Sequence, residues 1–106
     1  AIAYGLSSLW IADSQLNKIL RVDPETAEVI SSFENPGIRV DGLAFDGSHF
    51  WVSDSSTLTI YQLNLEGQVL RTFLSPGQSP QGLAYDGHYL WNADGNRKIY
   101  QLRFQN

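Results

Sequence analysis

Gly82-Leu-Ala-Tyr-Asp-Gly-His-Tyr89 is the stretch that decides the fold, because the chain says nearly the same thing 40 residues earlier as Gly42-Leu-Ala-Phe-Asp-Gly-Ser-His49. A worn copy, Ala1-Ile-Ala-Tyr-Gly5, stands at the start. Each copy runs on into a tryptophan and then an aspartate: Trp10 and Asp13, Trp51 and Asp54, Trp91 and Asp94. Both residue types step by 41 and then 40 positions. A self-similar period of this length is the signature of a repeat architecture.

Outward from these copies, each unit reads as short strands separated by turn residues, the all-β pattern. The first unit, 1–41, has apolar runs at Ala1–Tyr4, Leu9–Asp13, Ile19–Val22 and Glu28–Phe33, with breaks at Ser14–Asn17, Asp23-Pro24 and Asn35-Pro-Gly37. The second, 42–81, repeats the order at Gly42–Phe45, His49–Ser53, Thr59–Leu63 and Gln68–Phe73. Its Asp46-Gly47 pair, between two apolar runs, is a strong hairpin signal because Gly tolerates the positive φ of such turns. The one-residue difference in period falls between the third and fourth strands, where Val22 to Val29 is seven steps and Leu63 to Val69 is six. The third unit, 82–106, has three strands and ends after Ile99-Tyr-Gln-Leu102. No window carries a helical stripe.

The second strand of each unit is nearly continuous in apolar residues, as in Leu9-Trp-Ile and Phe50-Trp-Val. A strand solvated on one face alternates with polar residues; these look buried on both. On one face large Trp10, Trp51 or Trp91 sits beside small Ala12, Ser53 or Ala93. Small four-stranded antiparallel sheets stacked face to face are the blades of a β-propeller. The expected fold is therefore an incomplete propeller, a single segment over 1–106, since closure takes about four to eight blades. A lone chain would expose the apolar faces of its end blades. Each uncovered aromatic forfeits up to ~5 kcal/mol, against a domain stability of ~5–15 kcal/mol. So the chain is expected either to be part of a longer propeller or to self-associate, two copies giving a six-bladed ring with two-fold symmetry. A chain that starts without methionine reads as a fragment or a trimmed piece.

Composition excludes several function classes. A net charge of −4 with no basic stripe argues against a nucleic-acid partner. No apolar run approaches the ~18 residues of a membrane span, so a soluble chain is expected. The absence of cysteine excludes disulfides and thiolate metal sites and leaves the compartment open. No cofactor is expected.

The repeat, Gly-Leu-Ala-Phe-Asp-Gly, then Phe-Trp-Val-Ser-Asp, then Ile-Tyr-Gln-Leu-Asn, resembles bacterial propeller repeats of the NHL and streptogramin-lyase-like kind over the whole chain. That wider group implies scaffolds, lactone hydrolases, lyases and propeller-type glutamine cyclotransferases, and a secreted or periplasmic bacterial setting is compatible with it. The cyclotransferase motif is Gln-Gly-Leu followed by Leu-Tyr-Glu-Ser-Thr-Gly. Gln81-Gly82-Leu83 matches it, and Leu90-Trp91-Asn92-Ala93-Asp94-Gly95 falls in register. The family's acidic residue then falls on Asn92, and an amide cannot exchange a proton as a carboxylate does.

In a repeat protein, recurring residues serve the fold and departures mark candidate sites. Asp13, Asp54 and Asp94 recur; they are weak candidates for a ring of oxygen ligands around a hard cation, beside the plainer role of accepting backbone N–H groups in the following turn. Arg39 and Asp41 stand where the next repeat has Ser79 and Gln81, in the loop entering the first strand. Asn92 replaces Ile11 and Val52 inside a strand, where an unpaired amide costs ~1–3 kcal/mol. Arg39, Asp41, Gln81 and Asn92 are the candidate ligand-binding set, with the rim loops Pro36–Asp41 and Pro76–Gln81 presenting the contacts. An ordinary surface ion pair is the competing reading of Arg39 and Asp41. His49 and His88 occupy non-equivalent turn positions, and no Gly-x-Ser-x-Gly elbow supports a serine nucleophile. No catalytic residue is assigned. The leading expectation is a non-catalytic scaffold for ligand or protein binding. The alternative is part of a propeller enzyme whose catalytic residues lie largely outside this segment.

Overall fold

The computed structural model describes residues 1–104, and among them the chain forms eleven strands. The first sheet holds β1 (Ile2–Gly5), β2 (Ser8–Asp13), β3 (Lys18–Val22) and β4 (Val29–Glu34) in sequence order. The second repeats this with β5 (Val40–Phe45), β6 (Phe50–Asp54), β7 (Thr59–Leu63) and β8 (Val69–Leu74). The third holds β9 (Pro80–Tyr85), β10 (Leu90–Asp94) and β11 (Lys98–Leu102). All pairings are antiparallel. These are propeller blades, two of four strands and one of three. Among the described residues no helix is long and apolar enough to cross a membrane.

The turns explain where strands begin. Phe45 pairs with Phe50, so Asp46–His49 form a four-residue loop. Asp46 Oδ1 accepts the N–H groups of Ser48 and His49 at 2.8 and 2.6 Å, and Gly47 takes φ 97°. His49, read from sequence as the first residue of a strand, is therefore held in the turn. The worn first copy lacks Asp-Gly and makes a tighter turn: Gly5 pairs with Ser8, and Leu6 and Ser7 take φ 52° and 57°. Two consecutive left-handed residues match the twist of a two-residue hairpin, at a steric cost that Gly would avoid. The extra residue of the first repeat lies between β3 and β4, since Val22 pairs with Val29 and Leu63 with Val69.

Stacking of the sheets forms the core. Trp10 and Ile19 of the first sheet pack on Val40, Leu43, Phe50, Val52 and Leu63 of the second. Ala44, Trp51 and Ile60, on the other face of the second sheet, pack on Leu90, with Leu83, Leu102 and Phe104 around them. Covered on both sides, β6 is buried at every position, as its apolar run implies. The same run in β10 is not: Trp91 is half-buried and Ala93 exposed, because among the described residues nothing covers that face. Ile99 beside them is 75% exposed, and on the opposite end of the stack Ile2 is 61% exposed.

Aromatic rings mark both seams. Trp10 lies 4.6 Å from Phe50 and 6.2 Å from Phe33. At the second seam the residue matching Phe50 is Leu90, too small to fill that space. Phe104, beyond β11, supplies the ring instead, stacked 4.7 Å from Trp51 and 4.2 Å from Phe73.

Candidate ligand-binding site

The loops that lead into β5 and β9 are held by the aspartates that end β6 and β10. Asp54 is fully buried. Its Oδ2 accepts the N–H groups of Ile38 and Arg39 at 2.6 and 3.2 Å, and its Oδ1 those of Ser56 and Thr57 at 2.7 and 3.2 Å. A Cβ at Gly37 would collide with this carboxylate, so the Pro36-Gly37 turn needs glycine for close approach. Asp94 repeats the arrangement more loosely, accepting from Ser79 at 3.1 Å and Asn96 at 2.9 Å. Asp13 accepts only within its own turn, from Gln15 and Leu16. Each of the three carboxylates thus meets backbone N–H donors in its own loop. Among the described residues no group of three or more His, Cys, Asp or Glu side chains is disposed to hold a metal ion.

Arg39 has both backbone groups fixed. Its N–H goes to Asp54, and its carbonyl accepts from Ser55 N at 3.3 Å. The repeat partner Ser79 is fixed likewise, its carbonyl accepting from Gly95 N at 2.8 Å. One residue further, both inner strands bulge. Val40 pairs with Asp54 and Gly42 with Ser53, leaving Asp41 unpaired; Pro80 pairs with Asp94 and Gly82 with Ala93, leaving Gln81 unpaired. A bulge re-aims the side chain it carries. The matched bulges put Asp41 and Gln81, 40 residues apart in sequence, in the lining of one cleft of about 380 Å³, with Arg39, Ser55 and Ser79 completing it. Arg39 Nε lies 3.5 Å from Asp41 Oδ1, with the guanidinium side chain 71% exposed and the carboxylate side chain 24% exposed.

Three of the four candidate residues therefore meet. The fourth, Asn92, lies deeper on the same seam between the second and third sheets. It is fully buried, and its Nδ2 donates to the Gly82 carbonyl at 3.0 Å. Three buried polar atoms on this seam lack a hydrogen-bond partner: Asp41 Oδ2, Ser53 Oγ and Asn92 Oδ1. Ser53 Oγ sits under Gly42, close to the Gln81 carbonyl, since a Cβ at Gly42 would crowd both. Ser55 escaped the sequence reading, and Ser79 entered it only as the counterpart of Arg39 within the rim loop Pro76–Gln81. The available signal was positional, because Ser79 is the repeat partner of Arg39 and Ser55 directly follows the recurrent Asp54.

The histidines stand apart from this cleft. His88 is exposed, and His49 Nδ1 is 3.6 Å from Asp46 Oδ2. Burial pushes the Asp46 carboxyl up, but the Trp51 indole N–H at 2.8 Å and the two backbone donors of its turn outweigh this and hold it below the usual range. Asp86 is lowered by the Tyr89 backbone N–H and then by the Trp91 indole. Both aspartates clamp a hairpin to its tryptophan.

No protein-family profile and no curated protein sequence matches the chain. Solved structures do. Glutaminyl cyclase of Myxococcus xanthus superposes with a TM-score of 0.77 at 18% identity, covering 94% of this chain and 43% of that one. Virginiamycin B lyase of Staphylococcus aureus, solved with quinupristin, gives 0.63 at 20% identity over 94% and 39%. BamB of Moraxella catarrhalis gives 0.69 at 14% identity over 98% and 32%. All three are propeller proteins, and the chain spans less than half of each. The expected resemblance to streptogramin-lyase-like and cyclotransferase-like propellers holds at the level of fold. Enzymes and non-enzymes stand together among these neighbours.

Proposed function

We propose that residues 1–106 form one propeller segment, with repeats 1–41, 42–81 and a partial 82–106, that acts as a non-catalytic binding scaffold, and that its ligand sits in the cleft between Arg39, Asp41 and Gln81. The observation that carries this reading is convergence. Three of the four residues that break the repeat line one concavity, with Asp41 and Gln81 placed there by matched bulges and Arg39 by a loop, on backbones held by Asp54 and Asp94. Pre-organised polar groups around a concave site are what small-ligand recognition needs. The enzyme alternative is weaker here because the position of the cyclotransferase acid carries Asn92, whose amide moves no proton.

Further blades complete the ring. A second copy of this chain would give six blades, and the remaining blades of a longer chain would serve equally. An apolar groove of about 350 Å³ along Leu83, Ala84, Trp91, Ala93 and Ile99 is the face they would cover.

A small-fragment screen on isotope-labelled protein tests the binding reading. Polar fragments are expected to shift the backbone amides of Ser55, Ser79 and Gln81 saturably, and an Arg39→Ala, Gln81→Ala double variant is expected to lose the response. Fragments that move only the open apolar faces would overturn it.

A further inference from the structure

The two seams differ in how their rings connect. In the first, Phe45 and Phe50 are a cross-strand pair with rings 4.9 Å apart. Phe50 continues to Trp10 at 4.6 Å and to Phe33 at 5.9 Å, so four rings run on without a break. In the second, the matching cross-strand pair is Tyr85 with Leu90. Phe104 takes over the contacts to Trp51 and Phe73, but among the described residues no ring pairs with Tyr85. Tyr85 and Phe104 instead line one cleft of about 380 Å³, together with Trp51, Tyr89, Leu90 and Leu102. Tyr85 and Tyr89 are 37% and 41% exposed and Phe104 is half-buried, so these rings can be reached from solvent. This cleft shares no residue with the one around Arg39. It also lies at the other end of the seam, since Arg39 and Ser79 precede β5 and β9 while Asp46 follows β5 and Tyr85 ends β9.

From this comparison we infer that the second cleft binds a small uncharged aromatic compound, whose ring lies against Tyr85 and Phe104 and completes the four-ring run seen in the first seam. The fit in size is adequate: a cavity of about 150 Å³ already holds a benzene ring, and 380 Å³ leaves room for a substituent. Asp46 and Arg103 also border the cleft. The Asp46 oxygens already accept from the Ser48 and His49 N–H groups and the Trp51 indole, and Arg103 Nε donates to Gln101 Oε1. A ligand ion would be attracted by one of these charges and repelled by the other, which leaves the cost of taking its own charge out of water uncompensated. An aliphatic ring of the same size would gain from burial alone, without the quadrupole that makes ring pairs favourable beyond their area.

The test is a titration of the isotope-labelled chain with benzyl alcohol, cyclohexylmethanol, benzoate and benzylamine as separate probes. It is read at the Trp51 indole N–H, which Asp46 fixes beside the cleft, and at the Tyr85 and Tyr89 amides. The Trp10 indole N–H, bonded to the Gly5 carbonyl in the filled seam, is the internal control. Benzyl alcohol is expected to move the Trp51 signal saturably and leave Trp10 in place. Cyclohexylmethanol is expected to bind roughly two- to tenfold more weakly, the range set by one aromatic pair, and both ions are expected to bind more weakly than benzyl alcohol. Tyr85→Ala is expected to weaken benzyl alcohol by a similar factor and Tyr85→Phe to preserve it; Tyr85 is partly exposed, and an otherwise unchanged amide fingerprint confirms that each variant is folded. Cyclohexylmethanol binding as well as benzyl alcohol, or Tyr85→Ala without effect, overturns the aromatic class. An ion binding better than benzyl alcohol overturns the uncharged class. Shifts shared equally by Trp10, confined to Trp91 on the open face, or failing to saturate overturn the site itself. None of these outcomes touches the Arg39 cleft, which is read at Ser55, Ser79 and Gln81.

Discussion

Asp54 shows how one side chain organises a loop. Its two oxygens accept four backbone N–H groups, and the residue is fully buried. Asp54→Ala leaves those donors without a partner and is expected to cost about 3 kcal/mol in urea unfolding, the upper end for orphaned buried groups near a charge. Asp13→Ala removes only an exposed turn contact and is expected to cost about 1 kcal/mol or less. A similar loss at both positions would mean that the strap on the Arg39 loop contributes little. Asp46 carries a pH dependence. Its folded pKa lies below the unfolded value, which is about 3.9 for a free aspartate. Its contribution is therefore present above that value and is lost as the pH falls through the folded pKa. Asp46→Asn is expected to flatten the acid limb of the stability-against-pH curve, and an unchanged acid limb would remove Asp46 as its source.

Among the elements, the sheets are joined by apolar seams, and their fillings differ. The first seam takes its third aromatic ring from Phe50 at the start of β6; the second takes it from Phe104, past the end of β11. Phe104→Ala is expected to lower stability by about 2–3 kcal/mol, somewhat less than a fully buried phenylalanine because Phe104 keeps some exposure. Leu74→Ala, on the outer strand β8 and 82% exposed, is expected to change it by under about 0.5 kcal/mol. Equal effects would mean that Phe104 does not seal the seam in solution. The bulges act at this scale too. By taking Asp41 and Gln81 out of the ladder they turn two strand residues into the lining of one cleft.

For the whole molecule, the two ends of the stack are unlike. One presents Trp91, Ala93 and Ile99, matching the Trp10 and Trp51 faces that are covered elsewhere; the other presents Ile2 in the place of buried Leu43. Each internal seam joins one face of the first kind to one of the second, so two copies would join head to tail at two equivalent seams. Light scattering across a dilution series is expected to give twice the chain mass of 11.9 kDa. Ile99→Asp, which places a charge on the joining face, is expected to drive the mass to the monomer. A stable wild-type monomer at all concentrations would overturn self-association.

Sequence alone determined the fold class, the strand order and the place of the extra residue. Repetition reports on periodic burial, and copies of Gly-Leu-Ala-Tyr-Asp-Gly with their following Trp and Asp occupy equivalent environments. The sequence also marked Arg39, Asp41, Gln81 and Asn92 as departures from that repetition. It could not show that the first three share a cleft, because that depends on bulges in β5 and β9 and on the inner strands of successive sheets lying side by side. Phe104 was silent for the same reason: it has no aromatic counterpart in the first two repeats, where Pro24 and Leu65 stand, and only stacking of the third sheet on the second reveals a gap over Leu90 for it to fill. Local pattern sets which residues face inward. Contacts between sheets, made across long separations in sequence, decide which of them meet.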